Sequence, residues 1–193
     1  MNRSLAPRSW RSSLLAIGLL PILGACSDHG LGPPEEVPEE VGPPVTGFEE
    51  RSGVGFTTLP EELAFLAAVD AESDRVRITE VGTSVHGRPI HLVRLAHPQP
   101  APDDQIAAGP SVLVIGSQHG DEPAGREAAL QFVRDLAFAE ASLLPDALST
   151  ATVLVIPTAN PDGRVANTRR NVDNIDINRD HLALVSPEAR TIA

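Results

Sequence analysis

Among the 193 residues there is one cysteine, and there is no tyrosine and no lysine. A single cysteine excludes an internal disulfide framework and any multi-cysteine zinc site, so a metal here needs histidine and carboxylate ligands. Positive charge rests on 15 arginines against 26 Asp and Glu, a formal net charge of -11. That balance disfavours generic nucleic-acid binding and an acidic partner surface. The apolar run from Leu14 to Leu23 is too short to span a bilayer comfortably. What remains, 41% hydrophobic and 21% charged, fits an ordinary globular domain and excludes a wholly disordered or multi-span membrane chain.

Residues 1–25 pass from a basic stretch (Arg3, Arg8, Arg11) through that apolar run to Leu23-Gly24-Ala25, directly before Cys26. This is an export-signal pattern. Leu-Gly-Ala-Cys resembles a bacterial lipobox, which implies cleavage before Cys26, diacylglycerol on its thiol, and a chain held at a bacterial cell membrane facing the periplasm or exterior. Residues 26–57 are rich in Pro, Gly and Glu and poor in apolar groups to offset folding entropy, so they read as an extended, disordered tether.

The folded part is expected over residues 58–193. Thr58-Leu59-Pro60-Glu61 has the form of a capping box, and Leu59, Leu63, Leu66 and Ala67 follow at helical spacing to about Ala71. Residues 75–81 and 89–95 form a β-hairpin pattern around a loop that holds His86. Residues 98–109 read as Pro- and Asp-rich connecting sequence. Ser111 to Gly116 is a continuous apolar run, expected as a central strand buried on both faces. A helix from Glu122 to about Ala141, with Ala129, Phe132, Val133 and Leu136 on one face, leads to a second apolar run, Ala151 to Ile156. Strand, helix, strand predicts a parallel pair joined by a crossover, hence an α/β fold with a mixed, largely parallel central sheet flanked by helices.

Ligands in open α/β sheets bind at the carboxyl ends of strands. Directly after the first apolar run stand His119 and Glu122, an imidazole nitrogen and a carboxylate suited to zinc, with Gly120 in the turn between them. By itself His-x-x-Glu also fits a loop histidine beside an acid near a helix N-terminus. After the second run come Asn160-Pro161-Asp162-Gly163 and then Arg169, Arg170, Asn171, Asn178 and Arg179. Arginine clustered with asparagine suits bidentate capture of a substrate carboxylate; it equally suits a solvated loop whose arginines pair with Asp173, Asp176 and Asp180.

Taken in order, these pieces resemble the zinc carboxypeptidase family: Gly82-Thr83-Ser84-Val85-His86-Gly87-Arg88-Pro89-Ile90, His119-Gly-Asp-Glu122, Asn160-Pro161-Asp162-Gly163, Arg-x-Asn and Asp-x-Asn-Arg. The resemblance covers about Thr58 to the end. It implies that His119 and Glu122 bind zinc, that Asn178 and Arg179 hold the substrate's terminal carboxylate, and that Arg169, with Arg170 as the alternative, stabilises the oxyanion. It implies a peptide or amide substrate with a free C-terminal carboxylate.

The family pattern also calls for a third zinc-binding His, a Tyr over the substrate and a Glu acting as general base, and none is found after Arg179 at family spacing. His181 follows the Asn-Arg pair too closely, and Glu188 is explained by a helix start at Ser186-Pro187-Glu188. The expectation is a catalytic domain truncated at its C-terminus, inactive as given. Two alternatives accompany it: an N-acyl amino acid deacylase-type amidohydrolase, and a catalytically inactive binding lipoprotein.

Overall fold

The structure is a computed structural model that describes residues 42–143 and 146–193. The signal pattern, Cys26 and the first part of the expected tether lie outside the described residues. The rest of that stretch departs from expectation, because the folded body begins near Thr46. Thr46 caps α1 (Gly47–Glu50) with a reciprocal Thr46/Glu49 capping box, and Phe48 stacks on Phe56 with ring centroids 5.8 Å apart. Thr57 is buried, its N–H and hydroxyl donating to the Glu127 carboxylate at 2.8 and 2.6 Å. A few polar anchors thus order a segment whose apolar content is low.

The expected capping box at Thr58 starts α2 (Leu59–Glu72), with Pro60 in its first turn. The buried face is Glu62, Phe65, Leu66 and Val69; of the expected stripe Leu66 is buried and Ala67 exposed. The face rotates because Glu62 is drawn inside. Thr158 donates to its carboxylate at 2.8 Å, and the Arg126 and Arg164 Nε atoms lie 3.9 and 4.0 Å away. Burial pushes the Glu62 carboxyl up, against the Thr158 hydrogen bond and the Arg164 and Arg126 charges.

The hairpin forms as expected, from β1 (Val76–Thr83) and β2 (Pro89–Leu95), antiparallel with an irregularity between Glu80 and Gly82. The Pro98 to Gly109 connection contains a short helix, α3 (Asp103–Ala108), with no buried residue. β3 (Ser111–Ile115) leads through α4 (Ala124–Phe138) to β4 (Thr152–Ile156), and β3 and β4 pair parallel in register. The sheet order is β1-β2-β4-β3, with β2 and β4 antiparallel. The expected central position of β3 is therefore corrected: among the described residues it is an edge strand, with Val112 56% and Leu113 44% exposed. The centre is held by β2 and β4, whose two neighbours cover both edges. Phe132 of α4, expected inside, is 40% exposed; Leu130 takes the core position at 0%.

Alternation along the strands sorts the core into two layers. Val93, Leu95 and Val155 face Phe65, Leu66 and Val69 of α2 and Ala129, Leu130, Val133 and Ala137 of α4. On the other face Ile90, Ile156 and Ala159 gather with Leu92, Ile115 and Ile192. α5 (Pro161–Ala166) and α6 (Pro187–Ile192) complete the order, each opened by a proline in its first turn and a side-chain cap, Asn160 and Ser186.

Candidate metal and substrate site

Because β3 and β4 run parallel, their carboxyl ends emerge together, and the pairing continues past the strands. Gly116 N–H donates to Ile156 O, Ala159 N–H to Gly116 O and Asn160 N–H to Ser117 O. Ser117 adopts a left-handed backbone with φ 41, and its hydroxyl donates to Glu122 O at 3.2 Å. Gly120 matters for close approach rather than for a positive φ: a Cβ there would lie 2.0 Å from the Gly163 carbonyl carbon of α5. The fully buried Asn160 cap ties the loops together. Its Oδ1 accepts from Gly163 N–H at 2.9 Å, and its Nδ2 reaches the Gln118 and Arg169 carbonyls at 3.4 Å.

Four side chains close a ring on this platform. His119 Nδ1 lies 3.1 Å from Glu122 Oε2, and His119 Nε2 lies 3.1 Å from Asp176 Oδ1. Arg169 spans the two carboxylates, Nη1 donating to Glu122 Oε1 at 3.2 Å and Nε to Asp176 Oδ2 at 3.3 Å. His119 is buried, whereas the Glu122 side chain is 61% exposed, so the open side of the ring is Glu122's. Burial pushes the Asp176 carboxyl up, but the His119 hydrogen bond and the charges of Arg169 and Arg179 more than offset it and leave it below the usual carboxylate range.

Of the residues expected from sequence, His119, Glu122 and Arg169 meet directly. Asn178 joins His119 and Glu122 in lining a shallow cavity of about 240 Å³. Arg179 is exposed, with Nη1 on Asn178 O at 3.0 Å. Arg170 turns elsewhere, to Asn174 O at 3.0 Å, so Arg169 is the arginine at the ring. His181 meets Gln118 Oε1 at 3.0 Å. Among the described residues no group of three or more His, Cys, Asp or Glu is placed to hold a metal ion.

Asp176 is the site residue that sequence reasoning gave no role of its own. It stood inside Asp-x-Asn-Arg and among the acids able to pair with arginine; the missing signal was a contact 57 residues away. Asp162, in Asn-Pro-Asp-Gly, proves to be a brace. Fully buried, it accepts from His86 N–H at 2.9 Å and from the Arg88 guanidinium, fastening the hairpin loop to α5. Burial raises its carboxyl, and the bonds from His86, Arg88 and Ser84 bring it net below its usual value.

Comparison with known proteins gives a consistent result. The family model described as zinc carboxypeptidase matches residues 62–191. Carboxypeptidase E of Caenorhabditis elegans is 31% identical over 116 residues, 52% of this chain and 24% of the relative. Carboxypeptidase SOL1 of Arabidopsis thaliana is 32% identical over 106 residues, 54% of this chain and 21% of the relative. The crystal structure of a metallo-carboxypeptidase from Burkholderia cenocepacia superposes with a TM-score of 0.58 at 27% identity, covering 69% of this chain and 36% of that one. The chain thus spans about a quarter of the length of these curated relatives.

Proposed function

The chain belongs to the zinc carboxypeptidase family, and from that premise we propose that it carries the first part of the zinc and substrate site of a metallocarboxypeptidase, hydrolysing the peptide bond next to a C-terminal carboxylate. The observation that carries this reading is His119 held between two carboxylates. With the Nε2 proton donated to Asp176, Nδ1 turns a lone pair toward Glu122 Oε2 at 3.1 Å. Two acceptors that close repel unless a proton or a cation lies between them, and imidazole nitrogen with carboxylate oxygen is a donor pair that zinc favours. His119 and Glu122 therefore fit as two ligands.

When bound, zinc would supply Lewis-acid polarisation of the scissile carbonyl and a water of lowered pKa. The chain's own residues do the rest of what is seen here. Asp176 fixes the tautomer and orientation of His119. Arg169 stands beside Glu122 to donate to the developing oxyanion. Asn178, in the cavity wall, and the exposed Arg179 beside it take the substrate's terminal carboxylate.

Two ligands among the described residues make for weak metal binding. The purified 193-residue chain is expected to lose zinc on gel filtration and to release C-terminal residues from peptides slowly or not at all, with His119→Ala abolishing the zinc uptake that titration detects. Stoichiometric retained zinc with rapid turnover would overturn the two-ligand account, and uptake indifferent to His119→Ala would overturn the site. A chain extended to complete the site, assayed side by side on peptides and N-acyl amino acids, separates the peptidase from the deacylase.

The same reading extends to location, on the sequence pattern around Cys26. Export followed by lipid attachment predicts that Cys26→Ser moves the protein from the membrane fraction to the soluble one; an unchanged distribution would remove the anchor. Among the described residues no helix is long and apolar enough to cross a membrane.

A further inference from the structure

Glu188 is wholly buried, at 0% exposure, yet among the described residues it forms no ion pair. Its carboxylate accepts two neutral hydrogen bonds, from Val85 N–H in the hairpin loop at 3.3 Å and from Asn171 Nδ2 at 3.1 Å. Taking a carboxylate out of water for two neutral donors is costly, so what those bonds hold is the question. Asn171 is the knot of the turn that precedes Asp176. Its Oδ1 accepts from Asp173 N–H at 3.1 Å and Ile175 N–H at 2.9 Å. Its backbone N–H donates to Ile175 O, and its carbonyl accepts from Asn174 N–H. Asn174 itself adopts the left-handed φ of 61 that the turn requires.

An amide has two faces of similar shape and opposite hydrogen-bonding sense. A carboxylate can only accept, so Glu188 forces Nδ2 of Asn171 toward itself and leaves Oδ1 for the turn. We propose that Glu188 is a positioning residue: by setting the sense of the Asn171 amide it fixes the turn that presents Asp176 and Arg169 to His119 and Glu122. The proposal rests on the metal-site reading only where zinc is the readout.

The test uses the full chain without metal and reads the His119 ring nitrogens by 15N NMR. The wild type is expected to show one sharp, unaveraged pair of ring-nitrogen signals, with Nε2 held on Asp176 and Nδ1 on Glu122. Glu188→Gln puts an NH2 opposite one of two donors, and Asn171→Asp sets two carboxylates face to face; each is expected to average the His119 signals. The double variant E188Q/N171D restores the pairing with its sense reversed, since the amide oxygen introduced at position 188 accepts from Val85 N–H while its NH2 donates to the carboxylate introduced at position 171. It is expected to recover the single pair of sharp signals. Ser73→Ala, which removes a buried bond to Ala137 O in the α2 cap, serves as a control for general loosening. Zinc titration should show a loss of about tenfold in E188Q, the low end of what disturbing an outer-shell partner costs, and recovery in the double variant.

Unchanged His119 signals in E188Q overturn the proposal. So does a double variant that fails to recover them, folded or not, or an equal disturbance in S73A. A wild type that takes up no zinc overturns the metal-site reading instead, while the ring-nitrogen signals still decide this one.

Discussion

At the scale of single residues, the site depends on atoms that are absent. Gly120 has no Cβ because α5 backbone occupies that place, 2.0 Å away at Gly163 C and 2.2 Å at Arg164 N. Gly120→Ala is expected to destabilise the fold by about 1–3 kcal/mol, the usual range for forcing atoms into packed space. Gly125, in the first turn of α4 with nothing within 4 Å of its would-be Cβ, is the matched control, and Gly125→Ala is expected to gain about 0.5–1 kcal/mol. Urea unfolding of the two variants measures both signs. The two neighbouring arginines separate as cleanly. In a chain extended to complete the site, Arg169→Ala is expected to abolish turnover while Arg170→Ala, whose guanidinium among the described residues reaches the Asn174 carbonyl, leaves most of it. Equal losses in the two variants would show that the ring does not select between them.

At the scale of elements, local signals were legible where the chain's own chemistry decides the outcome. Both strands of the hairpin, the α2 capping box and the β3-α4-β4 crossover follow from alternation, caps and short apolar runs. The buried stripe of α2 was not legible, because an apolar template slides past Glu62, whose place inside depends on Thr158 ninety-six residues away. α3 hides in Pro- and Asp-rich sequence and buries nothing, and residues 46–57 are ordered by Glu127 and Arg134, which local composition does not announce. The start of α2 also carries a pH dependence. The hydrogen bond from Arg51, then those from Thr58, pull the Glu61 carboxyl from 4.5 to about 2. A lowered folded pKa contributes stability that is present above the unfolded value near 4.5 and is lost as pH falls from there toward 2. Glu61→Gln is accordingly expected to lower the unfolding midpoint at about pH 7 and to match the wild type near pH 2. A difference that persists in acid would place the effect in packing rather than charge.

At the scale of the whole molecule, the sheet ends in β3, whose apolar Ser-Val-Leu-Val-Ile run carries no charge, proline or bulge and presents an unpaired side among the described residues. Such an edge templates pairing with another copy. The lipid-free chain is expected to elute from a sizing column in concentration-dependent, enlarged forms, and Leu113→Lys to shift it toward monomer. A sharp monomer peak for the wild type would contradict this. The site's parts were legible as motifs and their meeting was not, since His119, Asp176 and Glu188 are joined by contacts that no local spacing encodes. The ring they build also has a valence. With a neutral imidazole, Glu122, Asp176 and Arg169 sum to one negative charge, so a monovalent cation would leave the ring neutral and a divalent one would leave it singly positive. In a chain of net charge -11, that single inversion of sign gives an incoming carboxylate one local reason to approach a molecule whose overall field repels it.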